Sequence, residues 1–341
     1  MKINIHQIAT STHSVEPMIE RAANGELVCV CACGGPKEPD IENRSLVYHS
    51  KDNGVTWTGG EKIYPEDGNA VYCTEMTVHG DTLTAYLTVH SGGFLIWNCV
   101  MMQSRDNGYT WENAGHPPFF PEYTFMRGEL KTRAGRILLP YHTYPVTPEA
   151  RDRVLREGGP QAIVVLTKAP YCETGVLISD DGGKTYEKYE AFKTDMSEHW
   201  AWTEPTLAEL SDGTIVMLTR RDLSGWLYRC ESKDGGKTWS PLVETDIKNP
   251  TNKPRLIPCD NGRIALFHTP NPLPRGEYGW SRRAPYEMWI SDDDMKTWSQ
   301  KIRLTDFPGQ YHYTDGFFEN GHIHAVIEHN RHTILHFDIE L

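Results

Sequence analysis

The sequence has no long apolar segment and no sustained helical pattern. No apolar run approaches the ~20 residues that a membrane-spanning helix requires, and the N-terminal stretch lacks the apolar core of a secretion signal. Turn-forming residues are plentiful instead, with 29 Gly and 22 Pro among 341 residues. We therefore expect an all-β protein with many turns that has no membrane partner.

Positive charge is also scarce. The chain has 34 Lys and Arg against 46 Asp and Glu, a formal net charge of −12, and its basic residues form no stripe. This balance argues against nucleic acid and anionic membranes as partners. An anionic small-molecule ligand would need a local basic pocket. The sequence leaves the oligomeric state open.

Metal-binding motifs are missing as well. The chain has no CxxC, no HExxH and no EF-hand loop, so we predict no metal ion and no other cofactor. Most of the eight cysteines lie in apolar runs typical of strands, as expected for buried free thiols in a reducing cytoplasm. Cys29, Cys31 and Cys33 alternate along one such run, which favours core packing over metal binding.

What the sequence does contain is a repeated octapeptide with the pattern Ser-x-Asp-x-Gly-x-Thr-Trp, here called the box. Five copies, spaced by about 50 to 75 residues, indicate a repeat architecture and begin at Ser50, Ser104, Ser179, Ser232 and Ser291. Asp and Gly form turns, Ser and Thr add local hydrogen bonds, and the aromatic residue anchors the turn. Because Met295 replaces Gly in the fifth copy, we expect that turn to be distorted.

A second repeat precedes each box and occurs six times. It consists of a short strand, a polar-Gly turn and a second strand, as in Thr206-Leu207, Asp212-Gly213 and Ile215 to Leu218. Together with the box, each unit predicts a four-stranded antiparallel meander, and six units predict a six-bladed β-propeller. We expect one domain over residues 1–341, closed in the last blade by residues 3–8 and 333–341, with a helical insertion at about 147–158.

The meander brings the starts of inner strands and the ends of second strands to one face, around the propeller axis. Both sets carry ionisable side chains, which are rarely buried without partners. The inner-strand starts are Glu16, Glu75, Arg127, Glu204, Lys253 and Tyr313. The second-strand ends are His90, His142, Arg220, His268 and Glu328. We expect these residues to surround a binding or catalytic site.

The boxes resemble those of the sialidase-like, or BNR-repeat, β-propellers, and the resemblance covers essentially the whole chain. It implies that the boxes serve folding, on the face away from the active site. Glu204-Pro205 followed by Arg220 resembles the segment carrying the partner of the nucleophile and a carboxylate-binding arginine. Tyr313-Thr314-Asp315 resembles the nucleophile segment. Two further features match less specifically. Arg282 or Arg283 stands where the resemblance implies another carboxylate-binding arginine, and Asp40 stands where it implies the general acid/base.

Two signature residues of these sialidases are absent. Val15-Glu16-Pro17 stands where they have Arg-Ile-Pro, and Ala32-Cys33-Gly34 stands where they have Glu-Gly-Arg. A carboxylate clamp would therefore be rebuilt from Arg220, Arg282 or Arg283, and Arg127, because guanidinium groups bind carboxylates in bidentate fashion.

We predict an exo-glycosidase that acts on a glycan with a terminal acidic sugar. A neutral Tyr nucleophile avoids repulsion by a carboxylate at the anomeric centre. One alternative is a lyase that cleaves beside a uronic acid, with His or Tyr removing the proton, for which His142 is a candidate. Another is a non-catalytic propeller in which tryptophans stack on sugars, the candidates being Trp97, Trp200, Trp202, Trp226 and Trp280. For all of these except Trp280, packing between blades is the favoured interpretation.

Overall fold

In the computed structural model, the chain forms six antiparallel sheets arranged as the blades of a β-propeller. The structure describes residues 1–94, 96–121, 123–159, 169–196, 202–277 and 279–341. The prediction of an all-β, six-bladed propeller with four-stranded blades is confirmed. Among the described residues, the α-helical part is limited to α1 (Pro148–Gly158).

The strands follow the chain order, blade by blade. The first strand, β1 (Lys2–Thr10), joins the last blade. The first blade contains β2 (Ser14–Arg21), β3 (Leu27–Cys33), β4 (Arg44–Ser50) and β5 (Thr58–Lys62). The second contains β6 (Ala70–His79), β7 (Thr82–His90), β8 (Trp97–Ser104) and β9 (Glu112–Gly115). The third contains β10 (Thr124–Met126), β11 (Leu130–Lys131), β12 (Ile137–Thr143), β13 (Tyr171–Ser179) and β14 (Glu187–Asp195).

The remaining blades repeat the same meander. The fourth contains β15 (Thr206–Glu209), β16 (Ile215–Arg220), β17 (Trp226–Ser232) and β18 (Val243–Lys248). The fifth contains β19 (Arg255–Pro258), β20 (Ile264–His268), β21 (Glu287–Ser291) and β22 (Gln300–Arg303). The sixth contains β23 (Tyr311–Glu319), β24 (His322–His329) and β25 (Thr333–Glu340), and β1 pairs with β25 at its outer edge. The first and last strands of the chain therefore share one sheet.

Each box folds into a turn held by its own side chains. In the first box, the Gly54 N–H donates to Oγ of Ser50 at 2.7 Å, and the Thr56 N–H donates to Oδ1 of Asp52 at 2.9 Å. The Trp57 indole closes the turn by donating to the Gly54 carbonyl at 3.0 Å. These bonds satisfy backbone groups that the sharp reversal would otherwise leave unpaired.

The expected distortion of the fifth box is wrong. The Met295 N–H donates to Oγ of Ser291 at 2.9 Å and the Thr297 N–H to Oδ1 of Asp293 at 2.9 Å, as in the first box. Met295 adopts the left-handed conformation with φ 59°, and its side chain is buried. The bonds of the turn and this burial together hold a conformation that Gly would adopt more readily.

The boxes and the polar-Gly turns share one face of the propeller, where they tie neighbouring blades together. The Asn24 N–H donates to Oδ1 of Asn107 in the second box, and the Ser211 N–H donates to Oδ1 of Asp294 in the fifth. Nη1 of Arg136 in the third blade donates to the Gly235 carbonyl of the fourth box at 3.1 Å. The inner strands begin on the opposite face, so the box face is separate from the cavity described next.

Several inner strands are irregular where they begin. The pairing register shifts between Val15 and Met18 in β2, and between His312 and Thr314 in β23. Glu16 and Tyr313, inside these bulges, have φ of 50° and 30°, and Glu204, before β15, has φ of 38°. Such bulges re-aim side chains that a regular strand would direct between the blades.

The helix α1 lies between β12 and β13. The Ala150 N–H donates to Oγ1 of Thr147 at 3.2 Å, Pro148 occupies the first turn, and Val154 packs into the core. No helix among the described residues has the length and apolar character needed to cross a bilayer. Cys29, Cys31 and Cys33 are buried in β3.

Candidate active site

A cavity of about 460 Å³ lies where the inner strands begin. Charged residues from five blades line it together with a set of aromatic residues. The charged lining consists of three glutamates and four arginines: Glu16, Glu38, Glu204, Arg127, Arg220, Arg283 and Arg331. The cavity therefore carries an excess of positive side chains in a protein whose net charge is negative.

An alternating row of buried charges forms the floor of the cavity. Arg127 lies between two carboxylates, with Nη1 2.9 Å from Glu16 and Nη2 3.3 Å from Glu204. Arg220 approaches the other oxygen of Glu204 with Nε at 3.1 Å and lies 3.6 Å from Asp222. Arg127, a candidate for the carboxylate clamp, is thus already paired with two protein carboxylates.

Arg283 stands beside Arg220 because one backbone carbonyl accepts from both. Nη1 of Arg220 and Nη2 of Arg283 donate to the Thr251 carbonyl at 2.7 and 2.6 Å. Thr251 has φ 57°, which directs its carbonyl toward the two guanidinium groups. No carboxylate of the described residues lies within ion-pairing distance of Arg283. Arg282, by contrast, is half-exposed and pairs with Glu277 at 3.7 Å, so Arg283 is the one that faces the cavity.

Tyr313 lies among these charges. Nζ of Lys253 and Cζ of Arg283 lie 5.7 and 5.9 Å from the centre of its ring. Burial and the nearby Glu204 carboxylate raise the pKa of Tyr313, so the resting phenol is neutral. Burial alone would raise the pKa of Glu204. The positive charges of Arg220 and Arg127 outweigh the effect of burial, so the net pKa of Glu204 is lowered. The site thus pairs a neutral phenol with an ionised carboxylate.

His312 also lines the cavity and is not among the site residues predicted from the sequence. Nη1 of Arg283 donates to its Nδ1 at 2.6 Å, and its Nε2 has no partner among the described residues. Burial and Arg283 lower the pKa of His312 well below its usual value, which keeps the imidazole neutral. The bulge in β23 explains why neighbouring residues 312 and 313 both reach the cavity.

Glu328 and Glu75 lie behind the lining. The Glu16 N–H donates to Oε1 of Glu328 at 2.6 Å, and the Gly128 N–H donates to Glu75. Burial raises the pKa of Glu328 well above its usual range, and burial with Asp315 raises the pKa of Glu75 to about 7. Burial therefore favours the neutral form of Glu328, whose Oε1 holds the backbone of Glu16.

The three predicted histidines are buried outside the lining. His90 stacks on Tyr72 with ring centres 5.1 Å apart, and His142 packs against Phe125 at 4.9 Å. His268 contacts Trp289 edge-on at 4.4 Å. Burial lowers the pKa of His90 and His268 to about 3 and that of His142 well below its usual value. The structure thus places all three as neutral rings behind or away from the cavity.

Five aromatic side chains also line the cavity, and Arg127 lies over one of them with Cζ 5.1 Å from the centre of the Phe125 ring: Tyr72, Phe94, Phe125, Trp202 and Trp280. Of the tryptophans considered for sugar stacking, Trp202 and Trp280 line the cavity, and Trp280 is 56% exposed. Trp97 is buried against Phe125, and Trp226 is half-buried beneath Lys248. Trp200 lies outside the described residues.

The loop between β3 and β4 contributes Glu38 to the cavity. Asp40, the acid/base candidate from the resemblance, is half-buried in the same loop, where its Oδ1 accepts from the Glu42 N–H at 3.0 Å. Asp40 is not part of the lining. Glu38 forms an ion pair with Arg331, which follows β24. Glu38 and Arg331 follow no regular spacing in the sequence, because both lie in irregular segments between strands.

The arrangement can hold an anion and move a proton. Arg220 and Arg283 present adjacent guanidinium groups, and Tyr313 and Glu204 provide a hydroxyl and an ionised carboxylate close by. Within the described ranges, no group of three or more His, Cys, Asp or Glu side chains is suited to hold a metal ion.

The comparisons with known proteins agree with the geometry of the fold. A profile of the BNR repeat-like domain matches residues 66–325. A search of curated proteins gives no match. The Hadza microbial sialidase Hz136 superposes with a TM-score of 0.73 at 15% identity, covering 97% of this chain and 66% of the sialidase.

Two other solved structures are similar at comparable distance. A protein of unknown function from Dyadobacter fermentans has a TM-score of 0.71 and 16% identity, with 99% of each chain covered. Trypanosoma rangeli sialidase, in complex with the inhibitor DANA, has a TM-score of 0.68 and 14% identity, with 98% of this chain and 55% of the sialidase covered. The chain thus spans between about half and two thirds of the length of these sialidases.

Identities this low establish the shared fold and leave the reaction to the chemistry of the site. The family profile, however, covers most of the chain, and the six-bladed architecture matches over nearly its whole length. The chain belongs to the BNR repeat-like domain family, as a sialidase-like β-propeller.

Proposed function

We propose that this protein is a glycoside hydrolase that removes a terminal acidic sugar from a glycan. The observation that carries the proposal is the pairing of Arg220 and Arg283 on the Thr251 carbonyl, beside Tyr313 and Glu204. Two adjacent guanidinium groups suit a bidentate carboxylate. Sialidases with the same fold have been solved with sialic acid and with DANA, which supports an acidic sugar as ligand.

The charge balance of the cavity supports a substrate with one negative charge. Arg127 is neutralised by Glu16 and Glu204, whereas Arg283 has no carboxylate partner among the described residues. A buried, uncompensated cation is unfavourable, so a substrate carboxylate that pairs with it gains affinity. A neutral sugar would leave this cation uncompensated.

In the proposed reaction Tyr313 is the nucleophile and Glu204 its proton acceptor. The phenolic oxygen attacks the anomeric carbon while the phenolic proton moves to Glu204, and an acid at the cavity wall protonates the leaving oxygen as its bond to the sugar breaks. Water then attacks the anomeric carbon and gives one proton to the conjugate base of that acid, while the bond to Tyr313 breaks and Glu204 returns its proton to the phenolic oxygen. Two displacements retain the anomeric configuration.

The electrostatics of the site are consistent with these roles. The lowered pKa of Glu204 means that its carboxylate is ionised and able to accept a proton. The raised pKa of Tyr313 keeps its hydroxyl neutral until the substrate is bound, so a substrate carboxylate meets no phenolate. Lys253 and Arg283, near the ring, stabilise the phenolate that develops during attack and departure.

A lyase is a second candidate because His312 is a neutral base in the cavity. Arg283 and Arg220 would neutralise a uronate carboxylate, and His312 or Tyr313 would remove the adjacent proton. His142 does not support this alternative, since it lies behind Phe125.

A binding-only propeller is a third outcome, in which Trp280 and Trp202 stack on a glycan that is not cleaved.

One experiment separates the three outcomes. The protein is incubated with oligosaccharides that end in a sialic acid or contain a uronic acid, and the products are analysed by mass and ultraviolet absorbance. A hydrolase gives products whose masses sum to substrate plus water. A lyase adds no water and leaves a conjugated double bond that absorbs. Release of an acidic monosaccharide, abolished in Tyr313→Phe, supports the proposal, and an absorbing product formed equally by Tyr313→Phe contradicts it.

A further inference from the structure

An ion pair at the cavity wall, between Glu38 and Arg331, joins the first and last blades. Glu38 belongs to the loop between β3 and β4, and Arg331 belongs to the turn between β24 and β25. Both side chains line the cavity that holds Arg220, Arg283 and Tyr313. Their side chains are 17% and 30% exposed, so the pair lies near the opening of the cavity.

The backbone fixes Arg331 at this position. Asn330 and Arg331 have φ of 56° and 60°, a left-handed turn that residues other than Gly adopt only where their surroundings impose it. The Arg331 carbonyl accepts the Ser14 N–H at 2.9 Å, and the Asn330 N–H donates to the Gln310 carbonyl at 2.9 Å. These bonds hold the guanidinium beside the start of β2, next to Val15-Glu16-Pro17, where no arginine is present.

We propose that Arg331 is a third arginine for the substrate carboxylate and that Glu38 is the acid that protonates the leaving group, the two functions being coupled by ion-pair exchange. This assignment rests on the proposed glycosidase function. In the free protein Arg331 holds Glu38 in its ionised form, which cannot donate a proton. An incoming carboxylate takes over Arg331, and Glu38 loses its cation.

Loss of the cation changes the protonation of Glu38. A partly buried carboxyl without a positive partner favours its neutral form, so Glu38 takes up a proton from water as the substrate binds. In the first displacement this proton moves to the leaving oxygen as that oxygen separates from the sugar. In the second, the Glu38 carboxylate takes a proton from the attacking water. When the product departs, Glu38 releases this proton to solvent and its carboxylate pairs with Arg331 again.

Several other titratable groups lie around the pair, among them Glu16, whose charge acts on Arg331. Arg331 has a pKa lowered to about 10 by burial and remains charged at pH 7. Burial and Arg331 lower the pKa of His13 to about 4, so it stays neutral. Tyr72 lines the same wall with its pKa raised well above the usual value by burial and Glu16. His332 follows Arg331 in the turn. Because Glu38 is the carboxylate that forms the ion pair with Arg331, it carries, in this proposal, the change of charge when an anion binds Arg331.

The first test measures proton uptake on binding. Sialic acid is titrated calorimetrically into the protein at pH 7 in buffers of different ionisation enthalpy. We expect wild type to take up a fraction of one proton per site, and Glu38→Gln to bind with no uptake. Arg331→Ala should bind roughly 10- to 100-fold more weakly, the loss expected for hydrogen bonds to a charged group. Glu42→Gln in the same loop and Arg105→Ala in the second box are the matched controls and should behave as wild type.

The second test is kinetic and uses the leaving group. Glu38→Gln should lose most of its turnover on a sialoside whose leaving group is a sugar hydroxyl, and much less on a nitrophenyl sialoside, whose leaving oxygen needs no proton. Arg331→Lys keeps the positive charge and should lose less affinity than Arg331→Ala. It also provides the test if Arg331→Ala fails to fold.

Several results would overturn the assignment. The ion-pair exchange is contradicted if proton uptake persists in Glu38→Gln, or if Arg331→Ala binds with unchanged affinity. Either result leaves the proposed glycosidase function intact. Leaving-group-dependent loss in Asp40→Asn, without such loss in Glu38→Gln, assigns the acid to Asp40. If wild type binds and cleaves no acidic sugar at all, the proposed function fails and this assignment fails with it.

Discussion

Nε of Arg220 lies 3.1 Å from a carboxylate oxygen of Glu204, and both side chains are almost fully buried. The other oxygen of that carboxylate lies 3.3 Å from Arg127. Two arginines on one carboxylate keep Glu204 ionised despite its burial. Arg220 also shares the Thr251 carbonyl with Arg283. The proposed proton transfer and the proposed anion binding therefore depend on one connected network.

The two adjacent arginines of the fifth blade should differ in function. Arg283→Ala removes a buried guanidinium from the cavity and should raise KM for an acidic substrate by roughly 10- to 100-fold, the cost of hydrogen bonds to a charged group. Arg282→Ala removes a half-exposed side chain paired with Glu277 and should change KM less than about twofold. Steady-state kinetics of the two variants checks this, and equal effects would place Arg282 in the site as well.

Tyr313→Phe should abolish turnover without loss of stability. The phenolic oxygen makes no hydrogen bond within the described residues, so its removal should change the free energy of unfolding by less than ~1 kcal/mol. Loss of a nucleophile should lower kcat by on the order of 10³-fold or more. Turnover and urea unfolding are measured on the same preparation. A folded variant with wild-type kcat would exclude Tyr313 as the nucleophile.

The stability of the protein should carry a pH dependence from Glu75. Its pKa rises from 4.5 to about 7 in the folded protein, because of burial and Asp315, so the folded state binds the extra proton. Stability from this group is therefore present below about pH 4.5 and lost as the pH rises toward 7. Glu75→Gln should be more stable than wild type by roughly 2–3 kcal/mol at pH 8, with little difference at pH 4.5.

Urea unfolding of wild type and Glu75→Gln at several pH values checks this sign. The difference between the two proteins is the relevant quantity, and it includes a smaller contribution from Glu20, whose pKa is raised first by burial and also by the nearby Glu75 carboxylate. A difference that does not change with pH would contradict a buried, neutral Glu75.

The boxes should affect stability alone. Ser50→Ala removes the acceptor of the Gly54 N–H and one donor to Asp52, in a buried setting. We expect the free energy of unfolding to fall by about 1–2 kcal/mol, with kcat/KM unchanged, because the box face lies opposite the cavity. Thr58→Ala, an exposed change in β5, is the control. A fall in kcat/KM without a fall in stability would argue for a functional role of the box.

Residues that depend on local turn chemistry and strand order could be predicted from the sequence. The Gly turns and boxes define where each strand reverses, and this is enough to bring Glu16, Arg127, Glu204 and Tyr313 to one cavity. The choice between Arg282 and Arg283 was left open, because it depends on a loop that has no period.

Other features depend on packing and on irregular backbone. His90 and His142 end their strands on the expected face, yet their rings lie behind Tyr72 and Phe125. His312 could not be distinguished from its neighbour, since a regular strand would send residues 312 and 313 to opposite sides. Arg331 reaches the cavity only through two consecutive residues with positive φ, which no pattern in the sequence indicates.

The central claim, that Tyr313 attacks the anomeric carbon of an acidic sugar bound by Arg220 and Arg283, can be tested by trapping the covalent intermediate. T. rangeli sialidase has been solved with 2,3-difluorosialic acid as a covalent intermediate, so this reagent is suited to the fold. The protein is incubated with it, digested and analysed by peptide mass spectrometry. The account predicts one sugar adduct on the peptide that contains Tyr313, absent in Tyr313→Phe. An adduct on a carboxylate such as Glu204 or Glu38, or hydrolysis of a sialoside by wild type without any adduct, would contradict it.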